Sequence, residues 1–130
     1  MRSMTAAILL TLVSAPAAPA ATPVERGEYL VGNVGMCSDC HTPRDAHGAL
    51  VQSALLHGAP VGFRPLHPMP FAVEAPRIAG MPDGYTPTSL ARFLETGQKP
   101  DGSMARPPMP AFRLSPEDAA SVVAYLRTLR

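Results

Sequence analysis

Two cysteines and a histidine stand together in the run Cys37-Ser38-Asp39-Cys40-His41. Two thiols at this spacing can add across the two vinyl groups of one haem and form thioethers, and C-x-x-C-H is the attachment pattern for a haem held in this way. The adjacent imidazole then lies under the iron and binds it through one ring nitrogen, as the usual proximal ligand. Other chemistries fit less well. A structural zinc site wants four nitrogen or sulfur ligands, often from two C-x-x-C pairs. This chain has only two cysteines, and its other histidines, His47, His57 and His67, stand apart. A thioredoxin-like pair wants a βαβ pattern around it, and none is visible. A disulfide at this spacing is awkward in a regular helix.

Iron held by one histidine keeps a second axial position, and what fills it separates electron transfer from chemistry on a bound molecule. Beyond residue 20 there are five methionines, Met36, Met69, Met81, Met104 and Met109. Most methionines fill cores. Met36 adjoins the cysteine motif and is badly placed to reach the far face. Met109 sits in Pro107-Pro108-Met109-Pro110, where prolines restrict the backbone on both sides. A weak thioether bond to iron survives best when the sulfur is already positioned. Met109 is therefore the candidate sixth ligand and Met104 the alternative. An open site, or one filled by His57 or His67, is the remaining option.

Three helices must position these groups. Thr22-Pro23-Val24-Glu25 reads as a helix start, with a capping threonine, proline at the first helical position and glutamate at the third. Tyr29, Leu30 and Val34 fit one apolar side of that helix. Gly27 lies in its interior, either as a tolerated defect or as the place where another helix comes close. Gly32 and Gly35 weaken it, so a break near Asn33 is expected before the chain resumes as a helix at the cysteines. A second helix is capped by Thr86, opened by Pro87, faced by Leu90, Ala91, Phe93 and Leu94, and closed by Gly97. The last begins at Ser115-Pro116-Glu117-Asp118 and carries Ala119, Val122, Val123, Leu126 and Leu129 at helical spacing. Arg127 and Arg130 fall at its negative end.

Between these helices the chain is turn-rich, as 16 prolines require. Thr42 to Gly48 is turn chemistry, and Val51 to Leu56 is short enough for either a helix or a strand. Gly58 to Pro82 holds six prolines and is expected to wrap the haem as an extended loop, pinned by Phe63, Leu66, Phe71, Val73 and Ile78. Gln98 to Leu114 is a second proline-rich loop.

The first twenty residues read differently. A short charged start, the apolar run Ala6 to Val13 and the small-residue sites Ala15-Pro16-Ala17 and Ala18-Pro19-Ala20 describe a secretory signal peptide. Cleavage is expected after Ala20, with Ala17 or Ala21 as alternatives, leaving residues 21–130 as one small domain. The apolar run is shorter than the roughly 20 residues that span a bilayer, so no transmembrane span remains once the signal is cut. Arg2 is the one basic residue removed, leaving ten basic and ten acidic residues. That balance argues against nucleic-acid binding, which shows as a basic excess or stripe.

The order of motifs resembles that of a class I c-type cytochrome with one haem. The resemblance is carried by Arg26-Gly27-Glu28-Tyr29-Leu30, Cys37-Ser38-Asp39-Cys40-His41-Thr42, Phe93-Leu94-Glu95-Thr96-Gly97, Pro100-Asp101-Gly102, Pro107-Pro108-Met109-Pro110 and the run from Glu117-Asp118 to Ala124-Tyr125-Leu126. It implies an all-α fold, three to four helices around one covalent haem c with long proline-rich loops. It implies that Gly27 and Tyr29 or Leu30 meet Tyr125 and Leu126 where the first and last helices cross. Cys37 and Cys40 would hold the haem, with His41 as proximal and Met109 as distal ligand of the iron. A proline carbonyl would accept the proximal imidazole's proton. Ala75-Pro76-Arg77-Ile78-Ala79-Gly80 matches that segment, so Pro76 is the candidate and Pro60 the second choice. The long insertion between His41 and Pro76 departs from the shortest family members.

The layout also resembles cytochrome subunits of periplasmic alcohol and aldehyde dehydrogenases. The expected function is periplasmic electron transfer, not enzymatic turnover. Redox proteins would be the partners, with a dehydrogenase or cytochrome as donor and an oxidase or cytochrome as acceptor. The competing expectation is a haem enzyme or ligand sensor with an open sixth site, in which His57, His67 or Arg113 would serve as the distal polar group. A third is a subunit that works only inside a dehydrogenase complex.

Overall fold

The computed structural model describes residues 20–130, so the expected signal peptide and its cleavage site lie outside the described residues apart from Ala20. Helix α1 spans Pro23–Tyr29. Its start is the expected capping box: the Thr22 hydroxyl accepts from the Glu25 N–H, and the Glu25 carboxylate accepts from the Thr22 N–H at 2.7 Å. The expected break near Asn33 is displaced. The chain continues as one π-turn over Leu30–Val34, with the Gly35 N–H bonding the Leu30 carbonyl at 2.7 Å. It breaks at Met36, which adopts a left-handed conformation with φ 47°. Helix α2, Cys37–His41, starts directly after that kink.

Helix α3 spans Pro87–Thr96 and α4 spans Pro116–Leu126. Thr86 and Ser115 cap them through their hydroxyls, and Gly97 closes α3 in a left-handed conformation. Leu129 lies beyond the end of α4, in the turn that follows. Helix α4 packs against both α1 and α3. The core is Leu30 and Val31 after α1, Leu90 and Leu94 on α3, Ala119, Val122, Val123 and Leu126 on α4, together with Leu56 and Ala79 from the intervening chain. Tyr29 and Val34, expected on the apolar side, face outward, and the Arg26 guanidinium lies over the Tyr29 ring at 5.8 Å. Leu30 is instead buried in the core with Leu126 of α4, and Val31 beside it is buried too.

The crossing itself depends on Gly27. A side chain there would run into the Ser121 carbonyl and lie 2.8 Å from the Tyr125 Cβ. At the helix ends Arg26 grips Asp118 with two hydrogen bonds, Nε to Oδ1 at 2.9 Å and Nη2 to Oδ2 at 3.1 Å.

The long segment between α2 and α3 contains a short turn of 3-10 helix, Gln52–Ala54, and two strands, β1 at Ala59–Pro60 and β2 at Glu74–Ala75. The strands pair antiparallel with Ala59 opposite Ala75 and Pro60 opposite Glu74. This small ribbon adds to the helical fold and closes the insertion into a hairpin. The expected pinning of the loop fails at three of its five residues. Leu66 is 96% exposed, and Phe63 and Val73 are also exposed. Phe63 and Phe71 pack edge to face on each other at 5.7 Å, while Ile78 packs against the core. Backbone pairing holds the hairpin, with the Val61 N–H on the Val73 carbonyl and the Ala72 N–H on the Pro107 carbonyl.

Candidate functional site

Helices α2, α3 and α4 and the two proline-rich loops enclose a cavity of about 370 Å³, within the range of small-molecule and cofactor sites. Leu90 and Leu94 of α3 and Val122 and Leu126 of α4 line it. These are core residues as well, so the hydrophobic core and the cavity wall are one surface. Tyr85 and Phe93, packed edge to face at 5.7 Å, line it too. Burial raises the Tyr85 hydroxyl pKa, helped by the nearby Asp101. The hairpin contributes Val61 and Ala72, and the ribbon contributes Ala75 and Pro76. The loop between α2 and α3 does wrap the cavity, with its base rather than its exposed tip.

The motif residues gather on one part of this wall. Cys37, Cys40 and His41 all line the cavity. Both cysteines are free thiols and half-buried. Burial pushes the Cys37 thiol up to about 11, so it is protonated at neutral pH. A thioether has no proton to lose, so this penalty disappears once the sulfur is alkylated.

His41 is 6% exposed. Its Nδ1 lies 2.7 Å from the Pro76 carbonyl oxygen. A carbonyl can only accept, so Nδ1 carries the proton and donates. Burial lowers the imidazole pKa, while the bond to Pro76 opposes that shift. With Nδ1 donating to Pro76, the neutral ring has its lone pair on Nε2, the form that binds a metal. Pro60, the second choice for this carbonyl, sits in the ribbon opposite Glu74.

Met109 lines the same cavity together with its neighbours Pro108 and Pro110. Its loop is tied at two points, by the Met109 N–H on the Arg106 carbonyl and by the Ala72 N–H on the Pro107 carbonyl. Met104 is exposed and does not line the cavity. It follows the turn closed by the Lys99 N–H on the Ser103 carbonyl. His57, His67 and Arg113 are also absent from the lining. His57 Nε2 is instead 2.7 Å from the Arg130 carbonyl oxygen. Among the described residues, no three His, Cys, Asp or Glu side chains converge as a metal cluster.

The family model named cytochrome c matches residues 24–130. The chain belongs to the cytochrome c family. It is similar to the fructose dehydrogenase cytochrome subunit of Gluconobacter japonicus, with 32% identity over 113 residues, 80% of this chain and 21% of that one. It is also similar to a dihaem c-type cytochrome of Cereibacter sphaeroides, with 32% identity over 115 residues, 79% of this chain and 34% of that one. The chain thus spans about a fifth and a third of the lengths of these relatives. Membership implies haem c, iron and haem-based electron transfer.

The cavity suits such a group. Its walls are apolar where a macrocycle would lie. Two basic side chains, Lys99 and Arg106, stand at its wall against one acid, Glu74, and a haem brings two carboxylates. Neither cation was evident as a site residue in the sequence. Their place depends on the path of the second proline-rich loop, which no local pattern encodes.

Proposed function

We propose that this cytochrome c transfers electrons through one haem, held by thioethers to Cys37 and Cys40 and ligated by His41 and Met109. The observation that carries the reading is one cavity lined at once by both cysteines, by the His41 imidazole fixed through Nδ1 on Pro76, and by Met109, the lining methionine that is not next to the cysteine motif as Met36 is. Haem iron supplies a one-electron couple. His41 offers Nε2, and Pro76 orients the ring and raises its basicity by accepting the Nδ1 proton. Met109 offers a soft, neutral sulfur, which favours the ferrous state relative to a second histidine. The apolar side chains of α3 and α4 exclude water. With His41 and Met109 both holding the iron, little would rearrange when its charge changes, and no organic substrate would need to bind.

The expected place of work is the periplasm. That reading rests on the secretory pattern of residues 1–20, followed by one domain over 21–130. Among the described residues no helix is long and apolar enough to cross a membrane. The partners would be a dehydrogenase or cytochrome donor and an oxidase or cytochrome acceptor. The likeness to a dehydrogenase cytochrome subunit favours a dehydrogenase on the donor side. Docking would be weak and transient, as in redox encounters generally.

The test is a set of oxidised and reduced spectra of the exported holoprotein, with Met109→Ala and Met104→Ala alongside. The ferric wild type should show the weak sulfur-to-iron charge-transfer band. Met109→Ala should lose it and begin to bind carbon monoxide when reduced, and Met104→Ala should keep it. A wild type without the band that already binds carbon monoxide would favour a haem enzyme or sensor.

A further inference from the structure

We propose that Thr42 is a positioning residue for the His41 imidazole, acting through the backbone of Leu56. The inference rests on His41 being the proximal ligand. Five short links form a closed circuit. Thr42 follows His41 in the chain, and its hydroxyl accepts the Leu56 N–H at 3.0 Å in a buried setting. The Leu56 carbonyl accepts two hydrogen bonds, from Ile78 N–H at 2.9 Å and Ala79 N–H at 3.0 Å. Those two residues follow Pro76 and Arg77, and the Pro76 carbonyl closes the circuit on His41 Nδ1. A second strut runs alongside. The Gly58 N–H donates to the His41 carbonyl at 2.7 Å.

Several features show that the circuit is tightly held. Thr42 is 1% exposed and Leu56 is fully buried. Leu56 has φ 59°, a left-handed backbone that a leucine rarely adopts unless its surroundings impose it. Gly58 has φ 91°, and a Cβ there would lie 2.8 Å from the Arg77 nitrogen and 3.0 Å from the Ala75 oxygen. Residues 56–58 therefore hold the Pro76 strap at two neighbouring points, by hydrogen bonds at Leu56 and by a close backbone contact at Gly58. Apart from the His41 ring, every hydrogen-bonding atom of the circuit is backbone except the Thr42 hydroxyl. That hydroxyl is the one link that a substitution can remove without touching the ligand.

Partners behind a metal-bound histidine set its orientation and basicity. A looser Pro76 carbonyl would leave Nδ1 less well hydrogen-bonded and the imidazole a poorer donor. Ferric iron loses more from that than ferrous iron, so the midpoint potential rises.

The experiment uses holoprotein with Thr42→Val and Thr42→Ser. Two properties are read: the midpoint potential and the exchange rate of the His41 Nδ1 proton by NMR. Thr42→Val should raise the potential and speed exchange by up to about tenfold, as the loss of about one net hydrogen bond would, while Thr42→Ser should match the wild type in both. A Thr42→Val protein that is merely less stable, with potential and exchange unchanged, overturns the assignment. So does a Thr42→Ser protein that shifts as far as Thr42→Val. If Thr42→Val does not accumulate, Gly58→Ala presses on the same strap two residues from Leu56 and carries the same expectation, and unchanged values there overturn the proposal. A wild type whose spectra report no histidine-bound iron instead overturns the ligation reading, and this assignment with it.

Discussion

Gly27 of α1 lies against the Ser121 carbonyl of α4 so closely that no side chain fits between them, with the Tyr125 Cβ 2.8 Å from where one would begin. The contact fixes how far α4 can approach α1. Val122 and Leu126, which line the cavity, are carried on the same helix. Gly27→Ala should push the helices apart and cost about 1–3 kcal/mol, read from chemical denaturation of the holoprotein. Gly32 gives the contrast. Nothing lies within 4 Å of a Cβ built there. Gly32→Ala should be neutral or stabilise by up to about 1 kcal/mol, since alanine is the better helix former.

What could be read from the sequence was local. Thr22, Thr86 and Ser115 announce their helices because a cap and its partner lie three residues apart. The cysteine motif is legible for the same reason, as its three groups share one short helix. Met109 was separable from Met104 by the prolines around it, and of these two the structure brings Met109 to the cavity. Long-range partnerships were legible only where the family resemblance supplied them, as for Pro76 on His41 and Gly27 against Tyr125; the others were not. The Arg26–Asp118 pair spans 92 residues, and the bond from Leu56 to Thr42 joins two segments with no shared pattern. The hairpin misled for a physical reason. Apolar residues in a proline-rich loop imply burial only if the loop lies flat, whereas ribbon pairing lifts Phe63 and Leu66 into solvent.

Lys99 and Arg106 give a prediction about potential. Both line the cavity, and neither side chain has a hydrogen-bond or salt-bridge partner among the described residues. A positive charge beside the haem disfavours the more positive ferric state. Arg106→Gln and Lys99→Gln should each lower the midpoint potential, by an amount on the order of 10 mV given solvent screening at a half-open wall. The shift should shrink as salt is raised from low to molar ionic strength. A salt-independent shift would mean that the loop has moved rather than that a charge was lost.

The cysteines make a graded prediction. Replacing either Cys37 or Cys40 with alanine leaves one thioether and one intact vinyl group. That vinyl stays conjugated with the macrocycle, so the reduced pyridine complex should absorb at longer wavelength than the wild type, with haem still bound on a denaturing gel. Replacing both should abolish covalent attachment. The chain lacking haem should also lose its cooperative thermal transition. Leu90, Leu94, Val122 and Leu126 each contribute about 1.5–3 kcal/mol when fully buried, and together that rivals the whole stability of a small domain, about 5–15 kcal/mol.

The Arg26–Asp118 clasp predicts a specific acid sensitivity. The hydrogen bonds from Arg26 hold the Asp118 carboxyl below its ordinary value, with desolvation opposing and the Arg26 charge adding to the shift. A carboxyl whose folded pKa is depressed stabilises the fold above its unfolded pKa, near 4. That stabilisation is lost as pH falls through the lower, folded value. Asp118→Asn should therefore be less stable than wild type at neutral pH, and the two should converge as pH falls below the unfolded carboxyl value and through the lower folded one. Arg26→Gln should give the same convergence, and the double variant should add little to either single one. The gap should also narrow with salt, because both side chains reach solvent. Glu25 is depressed too, by its bonds to Thr22, but those bonds survive in both variants and cancel in the comparison. A wild type and an Asp118→Asn protein that stay equally far apart down to pH 2 would show that the clasp acts through helix packing and not through its charge.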